Sequence, residues 1–263
     1  MSTTPGVTIV GAGGIGCSLG HALARAGRSV EMIDTNSAKI ESGNREGLAI
    51  EGRSAAAARF IHFDHWTPAD DTLVLLCTKC FDTSAVLARL GDKQEVVPVQ
   101  NGFDATLRDR CDHEGIASFV SECDEDRPRT RITRAGELHL GPGVPGTPPS
   151  SAVQRLIDEL RHHGAFDVRP VDHILPYKHA KLMYNAAIGP LAAVTGLDNA
   201  SLLRHTGARR LFFRFLRENH RVLTSAGIQL GRIGPFHPDT VDRILRLPLL
   251  ARMLAPGFAR SLR

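Results

Sequence analysis

The sequence predicts an α/β fold: a parallel sheet covered by helices over residues 1–170, followed by an all-helical domain over 171–263. Three observations predict it. Short apolar runs alternate with helix-period segments through the first half, the pattern of a parallel sheet buried on both faces. The first run leads directly into a glycine-rich turn, Gly11-Ala12-Gly13-Gly14-Ile15-Gly16. From about residue 171, strand signals vanish and apolar residues recur only at helical spacing.

The elements follow in order. Val7–Val10 reads as a short buried strand. Ile15, Leu19, Leu23 and Ala26 recur at helical spacing, and Gly27 supplies a stop. Ser29–Ile33 is a second strand and Ser37–Arg45 a short helix. Arg59–Phe63 and Thr72–Cys77 are further strands, and Asp82 is placed to cap a helix reaching Leu90. Glu95–Val99 is another strand, Asp104 opens a short helix, and Ile116–Val120 extends the strand series. Arg129–Thr133 and Glu137–Leu140, around Ala135-Gly136, read as a β-hairpin. Gly141–Ser150, with four Pro and three Gly, is a loop. Ser151–His163 is amphipathic, with Val153, Leu156, Ile157 and Leu160 on one face. Phe166–Arg169 is a last strand. His173–Leu191, Arg204–Ala226 and Asp239–Leu247 are helical.

Composition narrows the class. The 263 residues are 42% hydrophobic and 23% charged, which excludes a disordered chain, a collagen and a small disulfide scaffold. The net charge of +4 is unevenly distributed: residues 204–263 hold twelve Arg against three acids. Those arginines are spread along helical sequence without aromatic or glycine interleaving, so no nucleic-acid partner is expected. Met1–Val7 has no leader pattern. The longest apolar stretch, Leu182–Leu197, is broken by Asn185, Gly189, Pro190 and Thr195, so no membrane span is expected. Five irregularly spaced cysteines fit a reducing, cytoplasmic compartment. The lone pair Cys77 and Cys80 reads as structural, and His62 with His65 lacks a third ligand, so no metal is expected.

The glycine turn has a physical role at each position. Gly11 permits the tight turn, Gly13 lets a pyrophosphate approach the backbone, and Gly16 lets the helix sit against the sheet. The first amides of the helix, at Gly14, Ile15 and Gly16, then face the phosphates. This is the Rossmann-type dinucleotide fingerprint in its strand–turn–helix setting. Asp34 ends the second strand, eighteen residues after Gly16. A carboxylate there accepts hydrogen bonds from the adenosine ribose hydroxyls and repels a 2′-phosphate, which favours NAD. Lys39, one turn further on, is within reach of a phosphate and argues the other way. Capping the helix near Asn36 is an alternative role for Asp34.

Two more segments end parallel strands: Cys77-Thr78-Lys79-Cys80-Phe81-Asp82-Thr83 and Val99-Gln100-Asn101-Gly102. Ligands bind beyond the carboxyl ends of such strands, which puts Lys79 and Asn101 at the nicotinamide end. In the helical part, Lys181 and Asn185 stand four apart on one helix face.

Together these segments resemble the ketopantoate reductase (2-dehydropantoate 2-reductase) family. The matching pieces are Lys79 in its C-T-K-x-x-D-T setting, the Q-N-G of 100–102, the stretch from Asp34 to Gly52, and Lys181-Leu182-Met183-Tyr184-Asn185-Ala186-Ala187-Ile188-Gly189-Pro190. The resemblance implies a Rossmann domain and a helical domain with the active site between them. It implies NADPH as hydride donor, although Asp34 leaves NAD open, and a small 2-oxo acid as substrate, in pantothenate biosynthesis. Lys181 would be the general acid. Asn101, Asn185 and Asn199 would bind substrate, and Lys79 the cofactor or substrate charge.

Two departures accompany it. Gly189 stands where the family often has a second Asn. The family's later Ser and Glu have no counterpart before Arg263, so the chain is read as lacking the family's C-terminal end. The alternatives are a reductase of another 2-oxo acid and a non-catalytic nucleotide-binding relative. The apolar face Leu211–Leu216 is expected in the core or against a second copy, as in a homodimer.

Overall fold

The computed structural model describes residues 6–247. The reading of the first residues as leaderless lies almost wholly outside them, as does the chain after Leu247. The chain divides into two compact units, Met1–Ile174 and Leu175–Arg263.

In the first unit the order is β1 (Val7–Val10), α1 (Gly14–Arg25), β2 (Val30–Asp34), α2 (Ser37–Glu46), β3 (Ala49–Ile50), β4 (Arg59–His62), β5 (Leu73–Leu76) and α3 (Thr83–Leu87). Then come β6 (Glu95–Pro98), β7 (His113–Ala117), β8 (Val120–Cys123), β9 (Arg129–Arg134), β10 (Glu137–Pro142), α4 (Ser151–His163) and β11 (Asp167–Pro170). Five strands form the main sheet in the order β4-β2-β1-β5-β6, every pair parallel. Every residue of β1 and β5 is buried, which is why both read as unbroken apolar runs. Side chains alternate across the pleat. Val7, Ile9, Met32, Leu75 and Val97 join α1 and α4 in one core, and Val10, Ile33, Val74, Leu76 and Val96 meet Trp66 and Val86 in the other. Leu75 is fully buried at the centre of the larger core. Leu75→Ala should therefore cost about 2–5 kcal/mol. Chemical denaturation would check it, and a loss below about 1 kcal/mol would mean that the sheet relaxes around the cavity.

The remaining strands form two three-stranded sheets, β11-β10-β7 and β3-β9-β8. Here three expectations are corrected. The strand expected over 116–120 is interrupted, because β7 ends at Ala117 and β8 starts at Val120. The expected hairpin around Ala135-Gly136 does not form: β9 pairs antiparallel with β8, and β10 antiparallel with β7. A tight two-residue turn of the favoured type needs positive φ, which Gly136 does not have. Gly136 instead marks where a long antiparallel ribbon bends from one sheet into the next. A Cβ there would meet the Phe119 amide nitrogen at 2.6 Å. The Ser118 hydroxyl bridges the break, donating to the Glu137 carbonyl at 3.0 Å and accepting from the Glu137 amide at 2.8 Å. The ribbon's turn lies at residues 124–128, closed by the Asp124 amide donating to the Arg129 carbonyl. The third correction concerns Asp82. Its side chain makes no cap hydrogen bond, and the helix it precedes stops at Leu87 rather than Leu90.

The second unit contains α5 (Leu175–Thr195), α6 (Asn199–Arg204), α7 (Thr206–Ser225) and α8 (Pro238–Leu245). Its core joins Met183, Ala187 and Leu191 of α5 with Leu203, Phe212, Leu216 and Val241. Phe212 and Leu216 are buried, Phe213 and Phe215 pack partly against them, and Leu211 is exposed. The face expected to be apolar is thus mostly core of its own unit. Among the described residues, no helix is long and apolar enough to cross a membrane.

Candidate active site

The glycine turn joins β1 to α1 at the carboxyl edge of the parallel sheet. Gly11 has φ +102°, and a Cβ there would meet the backbone of Cys77 and Thr78 at 2.9 Å. Glycine is required both for the conformation and for the approach of the β5 exit. A Cβ on Gly16 would collide with the Gly11 carbonyl, so this glycine lets the helix close onto its own turn. Gly14 serves a purpose the sequence did not disclose: its Cβ would collide with the Ser121 carbonyl of β8. Gly13 differs from all three. Nothing lies within 4 Å of a Cβ placed on it, and no side chain caps the helix it precedes. An open cradle of this kind, with Gly14, Ile15 and Gly16 presenting amides that have no partner inside the helix, fits a pyrophosphate.

The turn is clamped through Ala12. Its amide donates to Asp34 Oδ2 at 2.7 Å, and its carbonyl accepts from Lys39 Nζ at 3.2 Å and from the Cys17 thiol at 3.2 Å. Asp34 Oδ1 also accepts from the Thr35 and Asn36 amides at 2.9 and 3.0 Å. Three of roughly four acceptor positions on this carboxylate are thus taken by backbone, leaving room for one ribose hydroxyl rather than two. Capping of α2 falls to Asn36, whose side chain accepts from the Lys39 amide. Lys39 is 8% exposed and turned inward onto Ala12, so its ammonium is not offered to a phosphate at the surface.

Beneath the turn, the thiols of Cys17 and Cys123 lie against each other. The Cys17 thiol is pushed well above its ordinary range by its hydrogen bond with Cys123 and by burial. Cys123 is pulled down by the same contact, assisted by the Lys39 charge. Burial pushes Cys77 up to about 12, so it stays a thiol and is not a nucleophile.

Lys79 and Asn101 are exposed and sit just past the ends of β5 and β6, strands that follow β1 in the sheet. Gln100 knits their loops together. It is 4% exposed and donates through Nε2 to the Thr78 carbonyl at 3.0 Å and to Thr83 Oγ1 at 3.3 Å. A Cβ on Gly102 would meet Cys80 Sγ at 2.6 Å, which shows how closely the two loops pass. Gln100 was legible only as part of a motif, and its positioning role comes from the fold. The first unit therefore gathers the glycine turn, Asp34, Lys79 and Asn101 along one sheet edge.

Lys181, Asn185 and Asn199 belong to the second unit. Lys181 and Asn185 are both half-buried on α5, one turn apart. Between them Tyr184 is pushed up to about 12 by burial. Asn199 is the exposed first residue of α6, while the cap of that helix is Asp198, accepting from the Ser201 amide at 2.8 Å. Gly189 is exposed, with open space around a Cβ. Among the described residues, no group of three potential ligands could hold a metal ion.

Comparison with known proteins adds to this geometry. The family described as Ketopantoate reductase PanE/ApbA matches residues 7–142, and its C-terminal counterpart matches 173–247. A 2-dehydropantoate 2-reductase of Pyrococcus horikoshii is 24% identical over 239 residues, 85% of this chain and 75% of the relative. The crystal structure of a PanE/ApbA family ketopantoate reductase from Ralstonia eutropha JMP134 superposes with a TM-score of 0.73 at 25% identity, covering 95% of this chain and 80% of that one. D-mandelate dehydrogenase, solved with NADH and anilino(oxo)acetate, shares the fold, with a TM-score of 0.72 at 18% identity over 96% of this chain and 79% of its own.

Proposed function

The chain belongs to the ketopantoate reductase family, and from that membership we propose that it reduces 2-dehydropantoate, or a closely related branched 2-oxo acid, to the 2-hydroxy acid. The observation that carries the reading is the open glycine cradle sharing one sheet edge with Lys79 and Asn101. A bound dihydronicotinamide would supply the hydride. The remaining work falls to side chains. As hydride reaches the ketone carbon, negative charge develops on its oxygen; the Lys181 ammonium stabilises that charge and donates a proton to it. Asn185, one turn along the same helix, hydrogen-bonds the substrate, as do Asn101 and Asn199. Lys79 attracts the anionic groups of cofactor or substrate. A cytoplasmic location and a homodimer belong to the same reading.

A second reading, a different 2-oxo acid, is favoured by Gly189, which offers no polar side chain where the family often has Asn. A panel of 2-oxo acids, assayed by loss of dihydronicotinamide absorbance with NADH and with NADPH, separates the two. Turnover with 2-dehydropantoate is expected to exceed that with unbranched 2-oxo acids. Tight dinucleotide binding without turnover on any of them would sink the catalytic reading and leave a nucleotide-binding protein.

A further inference from the structure

We infer that the ribose end of the dinucleotide site is built for NADH and rejects NADPH, through an acidic turn that the fold brings beside Asp34. This rests on the reading above, that the glycine cradle holds a nicotinamide dinucleotide.

The 2′ position of the adenosine ribose falls past the end of β2, around Asp34, Thr35 and Asn36. The ribbon turn at 124–128 lies against this point. Asn36 Nδ2 donates both to the Glu125 carbonyl at 3.0 Å and to Asp126 Oδ1 at 3.1 Å. The turn's Asp124, Glu125 and Asp126 are all exposed, so their charge faces solvent beside the ribose position. A 2′-hydroxyl donates a hydrogen bond to a carboxylate, whereas a 2′-phosphate has no proton to donate and is repelled.

The neighbouring cations do not offset this charge. Lys39 is spent inward on the Ala12 carbonyl. Arg59 pairs with Glu31 at 3.0 Å, three residues before the end of β2. Arg127, on the turn itself, is exposed and is one cation against Asp124, Glu125 and Asp126, so the turn keeps an acidic excess. His62, paired in register with Asp34, is already engaged, with Nε2 3.1 Å from the Thr35 carbonyl and Nδ1 3.2 Å from the Asp64 amide and 3.6 Å from the Asp64 carboxylate.

The test is a binding titration of the whole chain with NADH and with NADPH, followed by nicotinamide fluorescence and needing no turnover. Two carboxylates some 6 Å from a doubly charged phosphate in water weaken binding about a hundredfold, so the Kd for NADPH should exceed that for NADH by about that factor. Replacing Glu125 with Gln and Asp126 with Asn keeps the shape of the turn and the acceptor for Asn36. In that double variant the Kd for NADPH should fall by about the same hundredfold with NADH unchanged. Equal or tighter binding of NADPH by the unaltered chain overturns the inference. An unchanged ratio in the double variant overturns the role of the turn. If neither dinucleotide binds, the functional reading fails first, and that outcome is distinct from the other two.

Discussion

Lys181→Ala is expected to lower kcat about a thousandfold while leaving the Kd for NADH unchanged, because a general acid acts on the transition state and not on the bound dinucleotide. The lysine is half-buried on α5, with Asn185 one turn beyond on the same helix face. Arginine at this position would keep the charge but hold its proton too firmly to release it, so Lys181→Arg should recover little of the rate. Stopped-flow reduction of 2-dehydropantoate and a fluorescence titration of NADH give the two numbers. Lys178, three residues earlier and 4% exposed, provides the control. If Lys178→Ala abolishes turnover and Lys181→Ala only weakens dinucleotide binding, the proton donor has been assigned to the wrong lysine.

Gly14→Ala should cost both stability and cofactor binding. Its methyl would be driven into the Ser121 carbonyl, which is backbone and cannot swing aside as a flexible side chain could, so α1 and β8 must separate. Overpacking of this kind costs about 1–3 kcal/mol. The displaced helix also carries the amides meant for the pyrophosphate, so the Kd for NADH should rise more than about a hundredfold, the equivalent of about 2.7 kcal/mol. Gly13→Ala gives the contrast. No atom lies within 4 Å of its Cβ, so Tm should hold, yet the methyl would stand where a phosphate must approach, and binding should be lost. Calorimetry with parallel NADH titration separates them. Loss of stability in the Gly13 variant, or none in the Gly14 variant, would show that the turn is held differently.

The two variants also mark how far the site could be read from the chain alone. The turn's conformation follows from Gly11 and Gly16, whose constraints lie in β1 and α1 or in the next parallel strand. Those were legible in the spacing of six residues. Gly14 is constrained by Ser121, more than a hundred residues away, and nothing local announces that contact. The inward turn of Lys39 is similar. In sequence it stands one helical turn past Asp34 and invites a phosphate, but in the fold its ammonium donates to the Ala12 carbonyl. The run Glu122-Cys123-Asp124-Glu125-Asp126 stands out in the sequence only as a cluster of acids, from which no role was read; its meaning depends on Asn36 being its neighbour.

The strand pairings divide the same way. Period and apolarity identified β1, β2, β5 and β6, because a strand buried on both faces is apolar throughout, as in β1 and β5, or nearly so, as in β2 and β6, whichever strand lies beside it. They could not say whether β9 pairs with β10 or with β8, since alternation specifies a face and not a partner. By itself the sequence determined most of the element types, the glycine turn and the family, all of which rest on local periodicity or contiguous motifs; it did not disclose β3, most of β8 or α6. Only the tertiary structure decided which glycine yields to β8, where Lys39 spends its charge, and which turn lies against Asn36. Each of those depends on groups that meet only when distant segments pack, and on hydrogen bonds that compete for a single carbonyl or carboxylate.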